Sequence, residues 1–273
     1  MLDSLTFGFL GGGNMASALI GGLVARGVPA GAIRVVDPSD EARQRLSQTL
    51  GVHALAAPDA AFGASNVIVL AVKPQQYRDA IGPLVPLLAD NLIISVAAGI
   101  RLQDMGRWLG RSRLVRAMPN TPALAGMGMT GLAAAPGLSE ADRAIATAVA
   151  EAVGQCVWVD NDDQIDAVTA LSGSGPAYVF YFVEAMERAA TEMGLSAEQG
   201  RKLAVETFRG AATLAGQSPE PVSLLRERVT SKGGTTYAAL VAMDAGGIQD
   251  AFVKAMHAAA ARGREMGAEF GKD

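Results

Sequence analysis

Short apolar runs separated by helical stretches dominate the first half of the chain. Leu5-Thr6-Phe7-Gly8-Phe9-Leu10 reads as a buried strand, and residues 15–26 as the helix after it, stopped by Gly27 and Pro29. Ile33-Arg34-Val35-Val36 is a second strand ending at Asp37 and Pro38, and residues 40–50 form a second helix closed by Gly51. Residues 67–72 are apolar without a break, the pattern of a strand covered on both faces. Lys73-Pro74 ends that strand, because proline has no backbone donor. Residues 92–96 and 114–117 repeat the strand pattern. Strands alternating with helices predict an α/β fold with a doubly wound parallel sheet.

Further along, the period changes. Residues 139–152 read as a helix and 156–159 as the last strand, after which nearly everything is helical. Val179, Phe182, Val183, Met186, Ala190 and Met193 stand at offsets 0, 3, 4, 7, 11 and 14, which is one helix face. Gly194 stops that helix, and Ser196 with Gln199 has the spacing of a capping box for the next. Pro219 and Pro221 interrupt the chain before another helical segment. The boundary is expected near Asp160, giving a dinucleotide-binding domain at 1–160 and an all-α domain at 161–273. Two domains also suit a chain of 273 residues, since domains usually run about 100–200 residues.

Composition narrows the function classes. Half of the residues are hydrophobic and the mean hydropathy is +0.24, ample for a buried core. The net charge of −4 gives no electrostatic footprint for nucleic acid or an anionic membrane. Cys156 is the single cysteine and cannot form an internal disulfide; it reads as a buried strand residue. With His53 and His257 it offers no zinc-ligand spacing, so no metal site is expected. No run reaches the about 18 apolar residues of a membrane span. The first basic side chain is Arg26, so the start lacks the basic region of a signal peptide. The cytoplasm is the expected location.

Chemistry enters at Gly11-Gly12-Gly13-Asn14-Met15-Ala16, a G-x-G-x-x-A loop directly after the first strand. Such a loop lets backbone approach a pyrophosphate, whose charge rests at the next helix N-terminus. Alone the pattern is weak, since glycine turns between strand and helix are common. Its context is stronger: an amphipathic helix follows, then a strand ending in Asp37, 21 residues beyond Ala16. Asp37 has two readings. It accepts hydrogen bonds from the adenosine ribose of NADH, or it caps the strand end before Pro38. Beside the 2′-phosphate of NADPH, two unit charges about 4 Å apart cost on the order of 4 kcal/mol at an effective dielectric near 20. The nearest arginines along the chain are Arg34, Arg43 and Arg45, none adjacent. Local physics leans towards NADH if the carboxylate faces the ribose.

Other segments look built for a ligand. Ala71-Val72-Lys73-Pro74 lies at a strand's carboxyl end, where open α/β sheets bind ligands. Met118-Pro119-Asn120-Thr121-Pro122 follows another strand and holds an amide and a hydroxyl between prolines. Ser172-Gly173-Ser174-Gly175-Pro176 presents hydroxyls and backbone donors before a long helix, with Pro176 at a favoured first position. Thr230-Ser231-Lys232-Gly233-Gly234-Thr235-Thr236 repeats that arrangement before a later helix. Each segment taken singly also reads as a rigid connection, a capping turn or a polar loop.

Taken together, these pieces resemble pyrroline-5-carboxylate reductase over essentially the whole chain. The match runs through Phe9-Leu10-Gly11-Gly12-Gly13-Asn14-Met15, Ala71-Val72-Lys73-Pro74 and Met118-Pro119-Asn120-Thr121-Pro122. It is most distinctive at residues 166–178 and in the C-terminal signature from Pro221 through Val229-Thr230-Ser231-Lys232-Gly233-Gly234-Thr235-Thr236 to Asp244. The resemblance implies a Rossmann domain followed by a helical dimerisation and substrate-binding domain. It implies homodimers with interlocked helical domains, assembling into larger rings such as decamers. NADPH or NADH would reduce 1-pyrroline-5-carboxylate to L-proline, the last step of proline biosynthesis. Gly11, Gly13, Asn14 and Met15 would touch the pyrophosphate. Ala71, Val72, Lys73 and Pro74, with Val96, Ala97, Ala98 and Asn120, would border the cofactor's ribose and nicotinamide. Ser172, Ser174, Gly234, Thr235 and Thr236 would hold the substrate, with Thr236 nearest the imine nitrogen as catalytic donor. Asp37-Pro38 departs from the serine or arginine region common in the family, and no asparagine stands near Pro58-Asp59 where many members meet the adenosine ribose.

The expected chemistry needs no strong base. An iminium carbon already accepts hydride, and orienting the reactants can contribute about 7–11 kcal/mol. It does require the turns around Ser174 and Thr236 to meet at the dinucleotide cleft, within one chain or between subunits. Rival readings are a hydroxy-acid dehydrogenase on the same architecture and a nucleotide-sensing module without chemistry.

Overall fold

The computed structural model describes residues 2–272. Eight strands form one sheet: β1 (Phe7–Leu10), β2 (Ile33–Val36), β3 (His53–Leu55), β4 (Val67–Leu70), β5 (Leu92–Ser95), β6 (Leu114–Met118), β7 (Gly128–Ala134) and β8 (Gly154–Trp158). Their order is β3-β2-β1-β4-β5-β6-β7-β8. The helices between them are α1 (Asn14–Ala25), α2 (Asp40–Leu50), α3 (Ala60–Gly63), α4 (Tyr77–Ile81), α5 (Leu102–Leu109) and α6 (Glu140–Glu151). Then follow α7 (Asp162–Val168), α8 (Gly175–Glu192), α9 (Ala197–Gln217), α10 (Val222–Arg228), α11 (Thr235–Ala245) and α12 (Ile248–Phe270).

Both faces of the sheet are covered. Leu19, Ile20 and Leu23 of α1 and Val149 of α6 pack with Phe7, Phe9 and Val35 on one side. Phe62, Tyr77, Ile81, Met105 and Leu109 pack with Ile68, Leu70 and Ile93 on the other. Every residue of β4 and β5 is buried, which explains their unbroken apolar runs. The expected α/β architecture with a helical C-terminal region is therefore observed.

Two strands were not legible in the sequence. β3 is a three-residue edge strand. β7 is rich in glycine and alanine, and it runs antiparallel to β6. Its direction follows from its connection, because a parallel return needs a crossover of a dozen or more residues. Here the chain turns back through a short 3₁₀ turn at Thr121–Ala125 and Gly126 in the left-handed region. Gly131 is required in β7, since a Cβ there would stand 2.7 Å from the Val168 side chain. Cys156 lies on β8 as expected but is half-buried. Burial and then the nearby Glu151 push its thiol pKa up, which keeps it a poor nucleophile.

Packing divides the chain into two compact units. The first runs to Ser174 and takes up the chain again from Ala259, and the second is Gly175–Ala258. This division falls later than the boundary expected at Asp160, for a physical reason. Arg116 of β6 is buried, and its guanidinium meets Asp162 at 2.7 Å and Asp166 at 2.9 Å, both on α7. Arg101 also reaches Asp166, at 3.3 Å, and the Leu102 N–H donates to Asp162. These charges tie α7 to the sheet. The end of α12 packs beside them, with Gly263 against Asp166 and Gly267 against Arg101.

The second unit is helical. α8 and α9 approach closely where a Cβ on Gly200 would stand 2.8 Å from that of Ala190. Ser196 and Gln199 form the expected capping box, and Tyr178 and Phe182 of α8 stack on Phe252 at 5.8 and 5.7 Å. Of the expected apolar face of α8 and its end, only Ala190 is buried within one chain; Val179, Met186 and Met193 are exposed.

The Arg116 network generates a stability prediction. Removing one partner of a buried ion pair leaves uncompensated charge and costs about 3–5 kcal/mol. Arg116→Met should lower stability by about that amount, read from equilibrium denaturation at neutral pH. A midpoint equal to that of the native protein would show that the network carries no weight.

Candidate active site

Strand register carries the glycine loop, Asp37 and the segments after β4 and β5 to one edge. The chain reverses its direction of winding between β1 and β4, the place where open α/β sheets bind ligands. At that edge the Gly11 N–H donates to the Val36 carbonyl at 2.8 Å and the Ala71 N–H to the Leu10 carbonyl at 2.8 Å. The Val96 N–H donates to Leu70 at 3.0 Å.

The loop's glycines have separate reasons. Gly11 adopts φ +101°, and a Cβ there would meet the Ala71 carbonyl oxygen at 2.6 Å. Gly12 is buried between Leu46 and Asp37. Gly13 is different: a Cβ on it would meet nothing within 4 Å. Gly13 is also the N-cap of α1, with no side chain capping the helix and no acidic residue in its first turn. The first N–H groups of α1 thus open onto space that the protein leaves free, a fit for the pyrophosphate of a dinucleotide.

Asp37 ties the glycine loop to the end of β2. Its Oδ2 accepts from the Gly12 N–H at 2.7 Å and its Oδ1 from the Ser39 N–H at 2.8 Å. The arginines are nearer than the chain spacing suggested. Arg43 donates to the Asp37 carbonyl at 2.7 Å and pairs with Asp40, while Arg45 donates to the Gly12 carbonyl at 2.9 Å. Helix α2 brings them back over the loop, a folding that spacing alone does not reveal.

The other residues expected on the cofactor side differ in what they expose. Lys73 is exposed and caps a 3₁₀ turn at Pro74–Gln76. The Ala97 side chain is buried in the core, so only its backbone can border a ligand. Asn120 has a structural task that the sequence did not foretell. Its Nδ2 donates to the Ser172 carbonyl at 3.3 Å and to the Ser172 hydroxyl at 3.2 Å, and its Oδ1 accepts from the Met129 N–H at 2.9 Å. Asn120 therefore ties the Ser172 turn to β7.

That turn is a π-helical segment, Thr169–Gly173, continuing α7. Single π turns of this kind are frequent at functional sites. Gly173 allows Met118 to pack close, and the Ser174 N–H closes the turn onto the Thr169 carbonyl at 2.8 Å. Thr235 and Thr236 open α11 in the second unit, are exposed, and follow Gly234, an N-cap with no side-chain cap.

Comparison with known proteins bears on what this edge serves. Residues 162–266 match the family model described as pyrroline-5-carboxylate reductase dimerisation. Residues 6–99 match that of an NADP oxidoreductase, coenzyme F420-dependent. A pyrroline-5-carboxylate reductase of Pseudomonas aeruginosa is 42% identical over 97% of both chains. The chain belongs to the pyrroline-5-carboxylate reductase family. Among solved structures, the reductase of Coxiella burnetii superposes with a TM-score of 0.91 at 37% identity, covering 96% of this chain and 98% of that one. The Plasmodium falciparum pyrroline carboxylate reductase, solved with NADP bound, gives 0.87 at 26% identity, covering 98% and 100%. The dimerisation match begins at α7, although packing keeps α7 with the sheet.

Gly11 and Gly13 make opposite predictions. Gly13→Ala meets no protein atom, so its melting temperature should stay within a few degrees of native, an N-cap change being worth about 0.5–1 kcal/mol. Its dissociation constant for the reduced dinucleotide, measured by calorimetry, should rise about tenfold or more, because the methyl enters the anion's space. Gly11→Ala should instead destabilise the fold itself. Unaltered nucleotide binding by Gly13→Ala would remove the α1 terminus from the cofactor site.

Proposed function

We infer that the chain is an NAD(P)H-dependent oxidoreductase acting on a C=N bond, a pyrroline-5-carboxylate reductase that forms L-proline in the last step of proline biosynthesis. Identity of 42% over 97% of the chain to a reductase of that name carries the reading. The uncapped α1 terminus beside a Gly13 open on its ligand side supports the nucleotide.

The residue roles are our proposals. Gly11, Gly13, Asn14 and Met15 receive the pyrophosphate through backbone N–H groups. Asp37 faces the adenosine ribose. Residues 71–74 and 96–98 line the path of the ribose and nicotinamide. When bound, the reduced nicotinamide supplies hydride to the imine carbon. Ser172 and Ser174, in a turn tied to Asn120, supply donors for the substrate carboxylate; Gly234 and Thr235 complete the cradle at the start of α11. Thr236 donates to the imine nitrogen as hydride addition at carbon moves the C=N π pair onto it. A neutral threonine is a weak acid, so its part is to orient and relay the proton. Both turns must meet at one cleft, within a chain or between two copies.

We also propose residues 161–273 as the dimerisation and substrate-binding segment. The exposed apolar side chains Phe180, Tyr181, Leu203 and Val241 are then covered by a second copy, and dimers assemble into a larger ring such as a decamer. Among the described residues no helix is long and apolar enough to cross a membrane. A cytoplasmic enzyme free of nucleic acid and membrane partners fits the net charge of −4.

Turnover of 1-pyrroline-5-carboxylate with NADH and with NADPH tests the activity directly, and oxidation of 2- and 3-hydroxy acids is the competing assay. Thr236→Ala should lower kcat by about 10- to 100-fold, the worth of one hydrogen bond to a developing charge. Its nucleotide affinity should stay unchanged in the same titration. Full turnover by that variant would exclude Thr236 from the reaction.

A further inference from the structure

We propose that Asn120 is a positioning residue that keeps the Ser172 hydroxyl as a hydrogen-bond donor for the substrate carboxylate, an inference that rests on the reading above and deepens it. Asn120 follows β6 and is the N-cap of the 3₁₀ turn Thr121–Ala125, yet its side chain makes no cap bond there. Asparagine at such a place ordinarily accepts from the N–H groups of the turn it opens. Here both ends of the amide are engaged elsewhere.

The orientation of that amide is forced. The Met129 N–H can only donate, so the atom facing it at 2.9 Å is Oδ1. The Ser172 carbonyl can only accept, so the atom facing it at 3.3 Å is Nδ2. A flipped amide would set donor against donor at one end and acceptor against acceptor at the other. The carbonyl also needs this donor: four positions on from Ser172 stands Pro176, which has no N–H to return.

The same Nδ2 lies 3.2 Å from the Ser172 Oγ. A serine hydroxyl has one proton and two acceptor positions. With Nδ2 donating to one of them, the proton must point elsewhere. Among the described residues no protein atom takes it, and Ser172 is only half-buried. The proton is left for an acceptor that arrives from outside, and a carboxylate oxygen is a strong one. A serine that donated to position 120 instead would present lone pairs to the carboxylate and repel it.

The test uses the full chain, initial rates on 1-pyrroline-5-carboxylate, and calorimetric titration with L-proline and with the reduced dinucleotide. Asn120→Asp keeps the shape and still accepts from Met129, but its second oxygen takes the Ser172 proton. Asn120→Ala departs further in shape yet leaves that hydroxyl free to turn. KM and the proline dissociation constant should rise most in Asn120→Asp, by about tenfold or more, and less in Asn120→Ala. In both, kcat should change less than KM, and dinucleotide affinity should stay as in the native protein. A part played only in holding the fold would give the opposite order, since aspartate is the closer mimic. Either substitution joined to Ser172→Ala should bind proline no worse than Ser172→Ala alone, because the two act on one hydrogen bond.

A native-like KM in Asn120→Asp overturns the proposal. So do the reverse order, additive losses in the double variants, or a loss of dinucleotide affinity as large as that of proline. Should one Asn120 variant not fold, the other decides through its coupling to Ser172→Ala. Proline binding in the expected order, with no turnover of the imine by the native protein, would count against the imine-reductase reading and leave the role of Asn120 standing. A native protein that neither turns over the imine nor binds proline overturns both.

Discussion

Everything at the candidate site depends on where β1 lies. It is paired in parallel on both sides, with β2 and with β4, and all four of its residues are buried. Parallel pairing fixes direction, so the chain leaves β1, β2 and β4 at the same edge. The register sets Leu10 level with Val36 and with Leu70, so the Gly11 N–H meets the Val36 carbonyl and the Ala71 N–H the Leu10 carbonyl. Because side chains alternate with a period of two, a slip by one residue would turn Phe7 and Phe9 onto the face where Gly8 lies against Phe62, with a Cβ there already 3.0 Å from the ring. Core packing and ligand geometry are therefore a single constraint, since the same register that buries the aromatics opens the end of α1.

A second constraint sits at β6, between β5 and β7. Buried ion pairs are weak contributors to net stability, but removing one partner is costly, so they fix an arrangement more than they strengthen it. Arg116 fixes α7. The two aspartates it meets, Asp162 and Asp166, are one helical turn apart on α7, and the helix then widens into the π turn that carries Ser172 to Asn120. Family similarity starts the dimerisation segment at 162, while packing ends the first unit at Ser174. The two divisions differ because the stretch between them is held by the sheet. The Ser172 turn is thereby positioned by a rigid element.

Much of this was legible in the sequence. The strand runs at 33–36, 67–72 and 92–96, the helix at 40–50 and the capping box at Ser196 all follow from local pattern, and local pattern decides when propensity and burial agree. β7 was not legible because its residues are small and unpatterned: Gly131 is there to admit Val168, which no periodicity records. Arg43, Arg45 and the brace role of Asn120 depend on contacts made by chain folding back through α2 and the π turn. The motif spacing pointed to the loop; only coordinates could say which atoms it had left to give.

The second unit shows where pattern and burial part company. The face of Val179, Met186 and Met193 has helical periodicity, yet all three are exposed in one chain, as are Phe180 and Tyr181 around the helix. Contiguous exposed apolar surface marks an interaction site. A monomer leaves that requirement unmet. The match of residues 162–266 to a dimerisation domain meets it, since a second copy offers the same apolar faces in return. Periodicity on α8 thus falls within the segment that matches the dimerisation model.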